Sequence, residues 1–151
     1  MKNTANRWFI LIAVALPLAV WFAGCASAPT PLTAELKPLQ GHWEGDGSGG
    51  KCFMTITGNS LLYRAGTNWF KTTFTLPVGT SPPQLHATII DCSPPTKDSV
   101  GKVVYAIYQV GEGKLLIAED DMSGKPPKDF LSATSHYELK LVQDTGRVKS
   151  E

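Results

Sequence analysis

Residues 102–119 read KVVYAIYQVGEGKLLIAE and contain the clearest pair of β-strands in this chain. Residues 102–110 are rich in Val, Tyr and Ile, which favour strands, and residues 114–119 repeat the apolar pattern. Between them, Gly111-Glu112-Gly113 is typical of a tight hairpin turn. This pair therefore predicts an antiparallel β-hairpin.

Short strands of the same kind, separated by turns rich in Gly and Pro, continue on both sides of this hairpin. We predict the other strands at 42–44, 51–57, 61–64, 69–76, 85–91 and 137–142. The main connections are predicted at 45–50 (a Gly-rich turn), 77–83, 93–99 and 120–128. Before the first strand, Thr33 caps a short helical turn over 34–37, which Pro38 stops.

About eight strands without a helix long enough for a βαβ crossover predict an all-β fold. An antiparallel meander of this size closes readily into an up-and-down barrel. A flattened β-sandwich is the alternative, since it would show the same alternation.

The first 25 residues predict export. Lys2 and Arg7 precede an apolar run, 8–22, which ends in Phe22-Ala23-Gly24-Cys25. A basic start, an apolar centre and a small-residue cleavage site are typical of a signal peptide. The alternative, a membrane-spanning helix, needs about 20 apolar residues, and this run is shorter and is interrupted by Pro17.

The end of this segment resembles a bacterial lipobox, in which the cysteine is lipidated and begins the mature protein. The resemblance implies lipidation of Cys25, and Ala26 in place of Asp favours the outer membrane, facing the periplasm. The predicted plan has four parts. They are a signal peptide (1–24), a lipidated tether (25–35), a β-barrel domain (36–142) and a polar tail (143–151).

The charge of the mature chain argues against a nucleic-acid partner. Loss of Lys2 and Arg7 with the signal lowers the formal charge from +1 to about −1. No basic patch remains that would attract phosphates. The predicted partners are the membrane, through the lipid on Cys25, and a small apolar ligand.

Cys52 and Cys92 remain once Cys25 is committed to lipid. In an oxidising compartment a lone pair of cysteines usually forms a disulfide, which is our prediction. Two buried free thiols are the alternative.

The domain resembles a group of small, often exported bacterial lipocalin-like proteins of uncharacterised function. The matching positions run in order from 36 to 142. They are Leu39, Gly41 and Trp43; Thr73-Phe74; Pro82 to Leu85; Asp91; Gly101-Lys102; Ile107-Tyr108; Gly111 to Gly113; Pro127 to Phe130; and Leu139 to Leu141. The resemblance implies an eight-stranded barrel whose closed end is plugged by Trp43. Ala106, where the group usually has Gly, and the two cysteines are departures that bear on the ligand rather than on the fold.

No motif predicts catalysis. His42, His86 and His136 lie on separate strands without metal-ligand spacing, and no nucleophile elbow surrounds Ser132. The loop 45–50 lacks the Lys and the following helix of a phosphate-binding loop. We therefore expect a protein that is not an enzyme, with no cofactor and no metal.

The aromatic residues bear on ligand binding. An eight-stranded barrel is either filled by its side chains or holds one small ligand, and the length of this chain favours the filled barrel. Phe70, Phe74, Tyr105 and Tyr108 are the candidate cavity-lining residues. Alternation leaves two orientations open for the strand 102–110, with either Tyr105 and Ile107 or Ala106 and Tyr108 pointing inward.

These features predict two alternative functions. The first is a lipid-anchored envelope lipoprotein that binds a small apolar molecule or a lipid. The alternative is a protein-interaction or enzyme-inhibitor module of the envelope, which would present the loops 45–50, 77–83 and 93–99.

Overall fold

The computed structural model describes residues 33–95, 98–120 and 124–142. The predicted signal peptide, Cys25, the part of the tether before residue 33 and the polar tail lie outside these ranges. The described ranges contain a 3₁₀ turn, Lys37–Leu39, and eight strands. The strands are Gly41–Gly47 (β1), Gly50–Thr57 (β2), Ser60–Ala65 (β3), Asn68–Thr75 (β4), Gln84–Ser93 (β5), Val103–Gly111 (β6), Lys114–Glu119 (β7) and Ser135–Val142 (β8). Within the described ranges, no helix has the length and apolar character needed to cross a membrane.

The strands form a closed antiparallel barrel in which each strand pairs with its neighbours in sequence. β8 completes the ring by pairing with β1, so that Trp43 faces Leu141. Closure confirms the barrel prediction and removes the sandwich alternative, because a closed barrel has no free sheet edges.

Successive side chains point alternately into and out of the barrel. On β6 the inner face carries Ala106 and Tyr108, which belong to the main core cluster. This decides the orientation left open by the sequence. Ile107, on the outer face, is nevertheless fully buried. The β7–β8 connection lies over this side of the barrel, where the Phe130 carbonyl accepts a hydrogen bond from His136 of β8.

The β1–β2 turn and the helical turn before β1 both differ from their predicted bounds. The Gly-rich turn predicted at 45–50 is wrong, because β1 continues to Gly47 and β2 starts at Gly50. β1 continues because Gly45 and Gly47 allow close packing on β8. An alanine Cβ at Gly45 would lie 1.9 Å from the Glu138 carbonyl oxygen, and one at Gly47 would lie 2.6 Å from the Tyr137 ring.

The helical turn also continues beyond its predicted end. The 3₁₀ turn includes Pro38, which occupies one of its first positions. Proline is tolerated there because the first turn of a helix needs no backbone N–H donor. Leu39, the last residue of the turn, is fully buried and packs on the end of the barrel core.

Candidate functional site

One end of the barrel is closed by the segment that precedes β1. Trp43 is 2% exposed, and its indole N–H donates to the Leu39 carbonyl over 2.9 Å. Gln40 joins this segment to the β2–β3 turn, since its side chain donates to the Gly58 carbonyl and accepts from the Gly58 N–H. We call this the plugged end. Trp43 therefore lies in the core at the plugged end, held to the segment that precedes β1.

Inside the barrel is a cavity of about 600 Å³. Its wall is mainly apolar and draws on seven strands, with Met54, Leu61, Phe70, Leu85, Ala87 and Ile117 among the contributors. In an up-and-down barrel the connections alternate between the two ends. Gly49, Ser99 and Gly124, from three connections at the end opposite the plug, border the cavity. We call this the open end.

The four candidate cavity residues divide into two pairs. Phe70 and Tyr105 border the cavity, whereas Phe74 and Tyr108 do not. Phe74 is 2% exposed and fills the core. Tyr108 faces a groove beside Glu35 and Pro38 at the plugged end. Burial raises the pKa of Tyr108, with a smaller contribution in the same direction from the Glu35 carboxylate.

Tyr105 borders the cavity without placing its ring there. It is the register partner of His86 on β5. The two rings meet edge to face on the outer side of the sheet, with centroids 4.8 Å apart. The neighbouring residues Val104 and Ala106 are the ones that face the core.

Three aromatic rings form an array in the lumen. The Tyr137 ring of β8 meets the Tyr63 ring of β3 edge to face at 5.6 Å, and Tyr63 lies 6.3 Å from the Phe70 ring of β4. Tyr137 and Tyr63 are separated in the sheet by β1 and β2. They meet because Gly47 of β1 has no side chain to occupy the space beneath the Tyr137 ring.

A carboxylate adjoins this aromatic array. The Tyr137 hydroxyl donates to Oε1 of Glu119, on β7, over 2.6 Å. Burial raises the pKa of Tyr63, and electrostatic interactions with Cys52 and Glu119 act in the same direction, whereas a side-chain hydrogen bond with Tyr137 lowers it. The Tyr63 phenol is therefore protonated at neutral pH. A half-buried group of titratable side chains beside a cavity is typical of a functional site.

Tyr137 was not among the predicted site residues. Its signal in the sequence is its spacing of two from Leu139, which places both side chains on the inner face of β8. Glu119 stands at the end of a predicted strand, and no local pattern in the sequence predicts its contact with Tyr137. Its role beside Tyr137 depends on the pairing of β7 with β8.

The predicted disulfide is wrong. Cys52 and Cys92 are both free and buried. They lie on β2 and β5, with β3 and β4 between them. At the usual strand spacing this places them about 14 Å apart around the sheet, whereas disulfide-bonded cysteines have Cα atoms within about 7 Å. Burial, followed by the Asp46 charge, raises the pKa of the Cys52 thiol and keeps it protonated.

The three histidines are separated, as their positions in sequence suggested. His42 forms a hydrogen bond with the Thr55 hydroxyl at 3.0 Å, and His86 packs on Tyr105. His136 forms a hydrogen bond with the Phe130 carbonyl in the β7–β8 connection. In the part of the chain that the structure describes, no group of three His, Cys, Asp or Glu side chains has the geometry to hold a metal ion.

Comparison with known proteins found no matching family model, no matching curated protein and no matching solved structure.

Proposed function

We propose that this chain is a lipid-anchored envelope lipoprotein with a lipocalin-like domain that binds one small apolar molecule in its lumen. The observation that supports binding is the cavity of about 600 Å³, closed by Trp43 at one end and bordered by loops at the other. Ligand pockets usually measure about 300–1,000 Å³ and have apolar walls with a few polar groups. An eight-stranded barrel has room for one such ligand.

Filling the lumen should abolish binding. Ala65 borders the cavity on β3, next to Asn68 at the open end. We expect Ala65→Trp to reduce binding of the neutral dye N-phenyl-1-naphthylamine at least about ten-fold, since an indole would occupy the ligand's space. Dye fluorescence and native mass spectrometry would measure this on protein from cells producing the full-length chain with Cys25→Ser.

Thr73→Trp is the matched control, because Thr73 is exposed on β4 next to the inward-facing Thr72. We expect it to bind the dye like the parent protein. Ala65→Leu, a smaller change, replaces Ala65→Trp if thermal unfolding shows that the latter is not folded. Equal dye binding by the Ala65 and Thr73 variants would place the dye outside the lumen and contradict the proposal.

The anchor rests on the lipobox resemblance at 22–25. We expect the wild-type chain in the membrane fraction, with a diacylated Cys25 peptide detectable by mass spectrometry. Cys25→Ser should move the protein to the soluble fraction, because its one site of lipid attachment is lost. Cys52→Ser, at a buried cysteine, is the control and should remain in the membrane. Membrane retention of the Cys25→Ser protein would disprove the anchor.

A further inference from the structure

The geometry points to an apolar ligand whose polar end is a protonated amine, held by Glu119 at the open end of the lumen. This inference rests on the ligand-binding function proposed above and names the chemistry of the ligand. It depends on the charges that border the cavity, on the hydrogen bond that orients Glu119 and on the aromatic array beside it.

The charges at the open end differ in their exposure to water. Glu119 and Asp120 both border the cavity and are partly buried, whereas Lys102, which also borders it, is exposed. Water and salt weaken the field of an exposed charge much more than that of a buried one. The carboxylates that border the lumen therefore act on a ligand inside it more strongly than the Lys102 ammonium does, and they favour a cation over an anion.

Glu119 is held in position by the protein. The Tyr137 hydroxyl donates to Oε1 over 2.6 Å, which fixes the carboxylate against the cavity wall. A carboxylate has about four lone-pair positions, so that it can accept from an ammonium group as well as from Tyr137. A hydrogen bond to an ionised partner is roughly twice as strong as one between neutral groups.

The aromatic array supports the same ligand. Tyr137, Tyr63 and Phe70 follow one another around the wall, with centroid separations of 5.6 and 6.3 Å. The face of an aromatic ring attracts a cation, and the attraction is stronger where water is excluded. The ring faces that attract a cation repel a ligand carboxylate, and Glu119 repels it as well.

Three ligands with the same twelve-carbon tail separate the effect of the head group from that of the tail. Dodecylamine, dodecanol and dodecanoate would each compete with N-phenyl-1-naphthylamine at neutral pH, below their micelle concentrations, on the protein with Cys25→Ser. We expect dodecylamine to bind at least about ten-fold more tightly than dodecanoate, as one charged hydrogen bond provides. Ala65→Trp should remove this binding, which would show that the amine is inside the lumen.

Two substitutions assign the preference to Glu119. Glu119→Gln keeps the side-chain shape and removes the charge, so we expect dodecylamine to bind about ten-fold more weakly while dodecanol binding stays unchanged. Glu138→Gln is the matched control, because it makes the same change at an exposed position on the outer face of β8, and it should keep the preference for the amine. Should Glu119→Gln fail to fold, Tyr137→Phe retains the ring, removes the hydroxyl that orients Glu119 and should weaken amine binding several-fold.

The outcomes separate this inference from the function on which it rests. If dodecanoate binds as tightly as dodecylamine, or if Glu119→Gln keeps the preference, the inference is overturned while ligand binding stands. If neither the dye nor any of the three compounds binds, the proposed function fails, and this inference fails with it.

Discussion

Replacing Gly45 with alanine is expected to destabilise the barrel by about 3 kcal/mol or more, the upper end of the range for overpacked positions. The added Cβ would lie 1.9 Å from the Glu138 carbonyl oxygen and 2.9 Å from the Leu139 Cα. Both atoms belong to the β8 backbone, which cannot move aside as a flexible side chain can. β1 and β8 would have to separate where the barrel closes. The midpoint of urea unfolding, followed by tryptophan fluorescence, measures the loss.

Gly49→Ala is the matched control for this prediction. Gly49 lies in the adjoining β1–β2 turn, and a Cβ there would meet no atom within 4 Å. We expect its unfolding free energy to stay within about 0.5 kcal/mol of the parent protein, as is usual for surface substitutions. If the two alanine variants were equally stable, the close contact between β1 and β8 would be wrong.

Replacing Trp43 with alanine is expected to cost about 3–5 kcal/mol, the usual range for truncating a buried aromatic side chain. Trp43 is 2% exposed and packs in the main core cluster with Leu39. The substitution also removes the donor to the Leu39 carbonyl. Both effects open the plugged end, so the 3₁₀ turn should exchange its amide protons faster. Denaturant unfolding and hydrogen exchange measure the two consequences.

Two further substitutions separate packing from hydrogen bonding at the plug. Trp43→Phe keeps a ring but leaves the Leu39 carbonyl without its indole donor, and we expect it to cost about 1–3 kcal/mol. Trp69→Ala removes a half-buried tryptophan from the outer face of β4 and should cost less than half as much as Trp43→Ala. A loss below 1 kcal/mol for Trp43→Ala would contradict the plug.

The strands were predictable because their signals are local. Alternation of apolar and polar side chains along residues 69–76 and 102–110 follows from the geometry of a single strand, and the structure has β4 and β6 there. The turn at 45–50 could not be predicted in the same way. Glycines usually indicate a turn, but Gly45 and Gly47 serve a strand, and the reason lies on β8, nearly a hundred residues later.

The cavity was predictable only as the less favoured of two alternatives, because chain length favoured a filled barrel. Aromatic residues on inner faces are consistent with both a filled and a hollow barrel, because the volume left over depends on how rings from different strands pack. Phe70 and Phe74 lie four positions apart on the same face of β4, yet Phe74 fills the core and Phe70 borders the cavity. The two rings lie at different heights along the barrel axis. The amino-acid composition of a strand does not specify the height at which the barrel is hollow.

The chain alone was enough to predict an all-β domain of about eight antiparallel strands and contains an N-terminal segment typical of a lipoprotein. Each of these depends on residues close together in sequence. Barrel closure, the free state of Cys52 and Cys92, and the meeting of Glu119, Tyr137 and Tyr63 depend on strand pairing. Pairing brings together residues far apart in sequence, and their distances follow from the closed ring of strands, which no local pattern specifies.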